Sequence, residues 1–275
     1  MKYFIFIFLL ISSTCFAQNL VPQINDLGDG WFEVTSSVVI ENITPQEAKK
    51  LAIQKACQIA IEQFSGVEVT GRTSLIEVES GSKVTIDHFS KLTNQTSQGI
   101  ILKKEILREE NITKNNILYK SVTVKVKVGK QEGKRDPFFT LEATLNKDYY
   151  KEGEELELEI TTSKDCYLTI LNIMSDENVT TIFPNKYRKD NFVKANQVFK
   201  LPDEKDKSLG IKFKVGLLPD KEEDTEIIKI LATKEPVNLQ IVSDYKSALE
   251  SLQNWLVTIP RSHIEEVDLQ YYIYK

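Results

Sequence analysis

Tyr150-Lys-Glu-Gly-Glu-Glu-Leu-Glu-Leu-Glu-Ile160, followed by Tyr167-Leu-Thr-Ile-Leu-Asn-Ile-Met-Ser-Asp-Glu-Asn-Val-Thr-Thr-Ile-Phe-Pro-Asn185, reads as consecutive β-strands. Leu156, Leu158 and Ile160 alternate with glutamates, the period-2 pattern of a strand with one buried and one wet face. Asp176-Glu177-Asn178 is a polar hinge between two apolar runs, so the second stretch predicts a β-hairpin.

Outward from this hairpin, short strands separated by turn residues predict an antiparallel β-sandwich of immunoglobulin-like form over residues 138–275. Phe138 to Leu145 opens it, Asn146-Lys-Asp148 makes a turn, and further strands are expected at 197–200, 211–215, 226–233 and 267–274. Ile227, Ile228, Ile230 and Leu231 suit burial on both faces of their strand. Tyr245, Leu249, Leu252 and Leu256 recur at helical spacing, which predicts an accessory C-terminal helix over 244–256, ended before Pro260.

The amino-terminal half predicts a different layer. Thr44-Pro45-Gln46-Glu47 combines an N-cap, a proline at the first helical position and a glutamate that closes a capping box. A helix over about 45–64 follows, its apolar stripe made of Ala52, Ile53, Ala56, Cys57, Ala60, Ile61 and Phe64, with Gly66 as terminator. Strands are expected at 31–40, 99–107 and 117–128, the last alternating valine with lysine or threonine after a Thr113–Asn116 turn. A strand or loop at 65–73 and a short helix at 86–92 are also expected. The fold class is therefore α+β, with a small antiparallel sheet and packed helix over 18–128. Residues 129–137 contain two glycines, a proline and no apolar side chain, the composition of a flexible linker.

The tyrosine and Gly153 ahead of a strand, the aromatic-led strand at 167, its turn and Ile182-Phe183-Pro184-Asn185 together resemble the domain of unknown function 4384 over about residues 137–237. The resemblance implies a sandwich fold and an accessory recognition role in the cell envelope, with no established chemistry. The exposed aromatic strand at 31, the alanine-striped helix and the entry Thr96-Ser97-Gln98-Gly99-Ile100-Ile101 are similar to the amino-terminal domain of the flagellar-assembly T protein and related small lipoproteins. That similarity, over about 28–130, implies a periplasmic assembly or scaffolding role.

Lys2, the apolar run from Tyr3 to Ile11 and Cys15-Phe16-Ala17 ahead of Gln18 predict a signal peptide over residues 1–17. The run is shorter than the roughly 20 residues that span a bilayer, so no transmembrane segment is expected in the mature chain and the location is periplasm or cell surface. Ser12-Ser13-Thr14 lacks the leucine expected three residues before a lipidated cysteine, which speaks against a lipid anchor at Cys15.

Charge excludes one partner class. Residues 18–134 carry 15 Lys/Arg against 14 Asp/Glu, and 135–275 carry 19 against 26, so neither half has the basic surplus of a nucleic-acid binder. Runs such as Asp203–Lys207 and Lys221–Asp224 read as solvated loops. Cys57 and Cys166 fall in different modules and on apolar faces, and are expected as buried free thiols.

Catalytic chemistry lacks a motif. His88 and His263 are far apart, no metal-ligand spacing appears, and no nucleophile elbow or phosphate loop is present. Ser262-His263 reads as a turn. The expectation is a non-enzymatic protein with no cofactor and no metal, working as an exported adaptor, scaffold or assembly factor on an envelope protein. The alternative is a carbohydrate- or peptidoglycan-binding module on cell-wall glycan. Trp31-Phe32, Tyr149-Tyr150 and Tyr271-Tyr272 should each send one ring inward and the other outward along a strand. The expected partner contacts are Phe183, Asn185, Tyr187 and Arg188, in a loop that mixes rings, an amide and a guanidinium.

Overall fold

The computed structural model of the protein describes residues 20–66, 99–239 and 248–275. The expected leader at 1–17, the stretch from 67 to 73, the short helix at 86–92 with His88, and residues 244–247 lie outside the described residues.

β1 (Gln23–Gly28) and β2 (Trp31–Val39) form an antiparallel hairpin. All six β1 residues are exposed, so no hydrophobic alternation betrays the strand. Its turn has the residue types a tight hairpin requires: Gly28, Asp29 and Gly30 all have positive φ. Gly30 has no alternative, since a Cβ there would lie 2.6 Å from the Val128 carbonyl oxygen.

α1 (Pro45–Ser65) starts as the sequence dictates. The Thr44 side chain accepts from the Glu47 amide at 3.2 Å, and the Glu47 carboxylate accepts from the Thr44 amide at 2.7 Å. Gly66 ends the helix in the left-handed region. The alanines let the helix lie close to the strands beneath, near enough for the Ser36 hydroxyl to donate to the Ala52 carbonyl at 2.5 Å. β3 (Ile100–Lys114) and β4 (Ile117–Gly129) are joined by Asn115 and Asn116, both at positive φ. The sheet order is β1-β2-β4-β3. Phe32, Val34, Val124 and Val126 meet Ala52, Ala56, Ala60 and Ile61 in a core between sheet and helix.

The second half contains β5 (Leu141–Leu145), β6 (Tyr149–Lys151), β7 (Leu158–Thr162), β8 (Cys166–Ile173), β9 (Val179–Phe183), β10 (Phe192–Val193), β11 (Phe199–Leu201), α2 (Glu204–Ser208), β12 (Glu223–Thr233), α3 (Ala248–Leu256) and β13 (Ile264–Tyr274). β11, β7 and β5 form one sheet. The other runs β10-β8-β12-β13-β6, with β9 also on β8. Leu141, Leu158 and Ile160 of the first sheet pack against Leu168, Ile170, Ile228 and Ile230 of the second. The protein is therefore largely β, with antiparallel sheets and few helices. One pair departs from this rule: β6 runs parallel to β13.

β12 is buried on both faces. Ile228, Ile230 and Ala232 point into the sandwich. Ile227 and Leu231 point the other way, into a second cluster with Leu249, Leu252 and Leu256 of α3 and Ile100 of β3. Each fully buried branched side chain contributes about 1.5–3 kcal/mol, so this one strand anchors two cores.

Three expectations need correction. Residues 211–215 make a single bridge, Lys214 to Glu155, and no ladder, although the backbone of Leu156 and Val215 finds partners there. Asp203–Lys207 is no solvated loop. It holds α2, capped reciprocally by Asp203 and Asp206, and Asp206 is buried. The segment 129–137 is not a free connector either. The Gln131 amide donates to the Leu256 carbonyl at 3.0 Å, the Arg261 amide to the Glu132 carbonyl at 2.7 Å, and Arg135 grips Glu265 through two bonds of 2.8 and 2.9 Å. Two of its charges, which suggest solvent when counted, find fixed partners on the sandwich: Arg135 on Glu265, and Asp136 on Lys164 and Lys234.

β3 completes the contact between the two halves. The Lys104 amide donates to the Glu250 carboxylate at 3.1 Å, the Lys104 ammonium pairs with Glu177 in the β8–β9 turn, and the Asn254 amide donates to the Leu102 carbonyl at 2.7 Å.

Candidate functional site: the β9–β10 loop

The loop after β9 begins at Phe183, whose ring is fully buried and packs on Phe199 of β11 at 5.0 Å between centroids. The Phe183–Pro184 peptide is cis. Asn185 then folds the chain on itself. Its side-chain oxygen accepts from the amides of Tyr187 and Arg188 at 2.9 and 3.0 Å, and its amide donates to the Ile182 carbonyl at 3.0 Å. Such an Asx arrangement reinforces the backbone pairing of the loop, in which the Asn185 amide donates to the Arg188 carbonyl at 3.0 Å and the Arg188 amide to the Asn185 carbonyl at 3.2 Å.

Arg188 closes the loop. Its Nη1 pairs with Asp206 at 2.9 Å and with Asp203 at 3.2 Å, both on the cap of α2. The guanidinium lies 4.5 Å from the Phe199 ring and 5.2 Å from that of Phe183, a stacked and paired geometry that lysine cannot reproduce. The Asp203 pKa is lowered; burial opposes this, and the Asp206 amide and Arg188 outweigh it. Asp203 and Asp206 are the site residues that pattern reading misses. The signal was present as Asp203-x-x-Asp206 behind Leu201-Pro202, a capping spacing.

The four expected contact residues therefore separate. Phe183 is core, Asn185 spends its polar groups inside the loop, and Arg188 spends its guanidinium on the cap of α2. Tyr187 alone projects, 66% exposed, with the Lys186 ammonium 4.7 Å from its ring. What the geometry offers is one aromatic ring, with the exposed Lys186 and Lys189 on either side of it in sequence, on a fixed backbone.

The remaining aromatic pairs divide inward and outward. Phe32 is buried against Phe64, while Trp31 lies under Lys125 and Lys127. Tyr150 and Tyr271 meet edge-to-face in the sandwich, and Tyr149 stacks on Tyr272 at 4.8 Å, with Tyr149 61% exposed.

Other reactive groups are tied down. The Lys221 ammonium donates to the Ser175 hydroxyl at 2.5 Å and to Asp224 at 2.8 Å, and Ser175 donates to Asp224 at 3.0 Å. A lysine held by a buried carboxylate is a poor base, so the trio reads as an ion-paired brace. Burial pushes the Cys57 thiol up to about 11 and raises that of Cys166, and both thiols are free, which removes the thiolate that reactivity needs. Among the described residues, no cluster of three His, Cys, Asp or Glu could hold a metal ion, and no helix is long and apolar enough to cross a membrane.

Residues 149–236 match the family model Domain of unknown function (DUF4384). No curated protein matches the chain. The DUF4384 segment runs from β6 to just past β12 and contains the whole loop together with its Asp203–Asp206 clamp. It is narrower than the expected 137–237 at its start, where it leaves out β5. It also leaves out β13, the strand that lies between β12 and β6 in the sheet.

Proposed function

We propose that the protein is a non-enzymatic exported adaptor or scaffold of the bacterial cell envelope, which binds a protein partner through the loop that presents Tyr187. The leader-like residues 1–17 support export to the periplasm or surface, and an immunoglobulin-like sandwich is the fold class that best accounts for the two packed sheets. The observation that carries the reading is the contrast within one loop. Three of its four notable side chains are consumed in holding it still, and the fourth is left outside. Rigid, exposed tyrosines flanked by a cation are the anchors of protein interfaces, because little side-chain entropy is lost when they bind. The Lys221–Asp224 ion pair that holds Ser175 and the protonated thiols support a binding role over a catalytic one.

A photo-crosslinking amino acid at position 187 tests this in an envelope fraction. A discrete protein adduct, abolished by competition with unlabelled protein but not with its Tyr187→Ser variant, supports the adaptor. The stacked pair Tyr149 and Tyr272 favours a second reading, a carbohydrate- or peptidoglycan-binding module, since the outer ring offers a face to a sugar. Absence of the adduct, together with co-sedimentation on purified peptidoglycan that Tyr149→Ala abolishes, would replace the first reading by the second.

A further inference from the structure

Lys229, Asp268 and Glu266 form a buried cluster of reactive groups that the loop of Tyr187 does not use. Lys229 of β12 stands directly opposite Asp268 of β13 in the antiparallel ladder, and Glu266 lies two residues before Asp268 on the same face. The Lys229 Nζ is 2.9 and 3.2 Å from the two Asp268 oxygens and 2.9 Å from Glu266. The three side chains are only 3, 4 and 8% exposed for Lys229, Asp268 and Glu266. Apolar groups frame the lysine: Ile227 and Leu231 flank it on its own strand and Leu171 lies opposite it on β8, all wholly buried.

Stability alone gives no reason for such a trio. β12 and β13 are each 11 residues long and pair along their whole length, and a buried ion pair is often matched or bettered by apolar residues of the same size. The arrangement does hold what amide formation needs: an amine, a carboxyl carbon within reach, a second carboxyl to move protons, and exclusion of water. The carbon between the two Asp268 oxygens falls at the separation of about 3–3.5 Å that marks a near-attack pair. Groups held in this way react as if at effective concentrations of about 10⁵ M or more.

We infer that Lys229 and Asp268 join in an intramolecular isopeptide bond, with Glu266 as the proton carrier. The ion pair is the unreacted state. Burial raises the Asp268 pKa against the pull of Lys229, and burial also opposes the charge on Lys229, although the two carboxylates outweigh it. Passage of the ammonium proton to Asp268 therefore gives a neutral amine and a neutral acid, the forms that a dry site favours. The carboxyl turns about its Cβ–Cγ bond to present its face, and Nζ attacks Cγ. Glu266 takes a proton from the attacking nitrogen and returns it to the departing hydroxyl. One N–C bond forms, one C–O bond breaks and one water leaves, with no change of oxidation state and no co-reactant. The bond staples β13, which lies outside the family match at 149–236, to β12 inside it. The inference is independent of the Tyr187 reading, because it uses the opposite face of β12 from the sandwich core.

The test is mass spectrometry of the folded chain freed of residues 1–17. The intact mass should fall short of the sequence mass by one water. A tryptic digest should contain a branched product that joins the peptides of Lys229 and Asp268 and is uncut after Lys229. Glu266→Gln, close in shape to the native side chain, should leave most molecules unjoined, and Asp268→Ala should leave all of them so. Asp268→Asn should still join and release ammonia in place of water, a signature that an ion pair cannot give. Circular dichroism of each variant reports whether it has folded. A folded wild type at its full sequence mass overturns the inference whatever the variants do. So does the loss of one water without the branched product, as a succinimide at an aspartate would give. Undiminished joining in Glu266→Gln overturns the role of Glu266.

Discussion

Lys229 of β12 donates to both carboxylate oxygens of Asp268, directly opposite it on β13, at 2.9 and 3.2 Å. Glu266, two residues before Asp268 on the same face of β13, lies 2.9 Å from the same ammonium. All three side chains are almost fully buried. Burial opposes the lysine's charge, but the two carboxylates outweigh it and hold its pKa above the ordinary value. Burial likewise raises the Asp268 pKa, with Lys229 pulling against it. Breaking such a pair strands a buried charge, at a cost of about 3–5 kcal/mol. Lys229→Met should therefore destabilise the fold by that order in a denaturant titration. A loss below about 1 kcal/mol would mean that water reaches the pair.

Glu226 gives a pH signature. Its carboxylate accepts from the Tyr271 hydroxyl at 2.5 Å and from the Asn172 amide at 2.6 Å inside the sandwich. Burial nevertheless raises its pKa. The folded state then keeps the proton over a window in which the unfolded chain has released it, so stability falls as pH climbs from the unfolded value through the raised one. Glu226→Gln removes the titration and keeps a hydrogen-bonding side chain of the same shape. The wild type should lose stability relative to this variant as pH rises above the ordinary glutamate range, as followed by melting temperature. A pH-independent difference would place Glu226 in contact with solvent.

Arg188→Lys keeps the charge but loses the stack on Phe183 and Phe199 and the fit to Asp203 and Asp206. It should cost about 1–3 kcal/mol and open the loop to proteolysis at Lys186. Unchanged cleavage would show that Asn185 alone holds the loop.

The two halves should unfold together. Ile100 of β3 is buried among Leu171, Ile227 and Leu231 of the sandwich. Calorimetry should give one transition, and trypsin should spare Lys130 to Arg135 in the native protein. Ile100→Asp should cost about 3 kcal/mol or more and expose that segment to cleavage. Two transitions in the native protein would show that the shared cluster does not couple them.

The DUF4384 segment should not fold alone. A fragment of residues 149–236 lacks β13, so β12 and β6 lose the strand that joins them, and it lacks β5, so β7 is left as an edge. The fragment should lack fixed tertiary structure in near-ultraviolet circular dichroism, and residues 129–275 should recover it. An ordered short fragment would mean that β6 pairs with β12 directly.

What the sequence revealed and what it concealed follow from the same physics. α1 was legible because its cap, stripe and terminator are all local, β4 because alternating valines leave a periodic trace, and β12 because burial on both faces leaves an apolar run. The turns at Asn115-Asn116 and Asp176–Asn178 were legible through their residue types. β1 was not, since an edge strand exposed at every position leaves no alternation. The β9–β10 loop was legible as a loop, but burial of Phe183 and the pairing of Arg188 depend on Phe199, Asp203 and Asp206, between 11 and 18 residues away in sequence. The tethering of 129–137 escaped for a similar reason: its composition counts charges and is blind to the Glu265 and Leu256 groups waiting for them.

Because β12 divides its side chains between two cores by parity, the strand can be edited as two separate controls. Even-numbered positions such as Ile228 and Ile230 adjust the sandwich that carries the Tyr187 loop. Odd-numbered ones such as Ile227 and Leu231 adjust the grip on β3. A library confined to these few residues of a single strand would therefore tell whether the display of the loop depends on the sandwich itself or on its attachment to the rest of the chain.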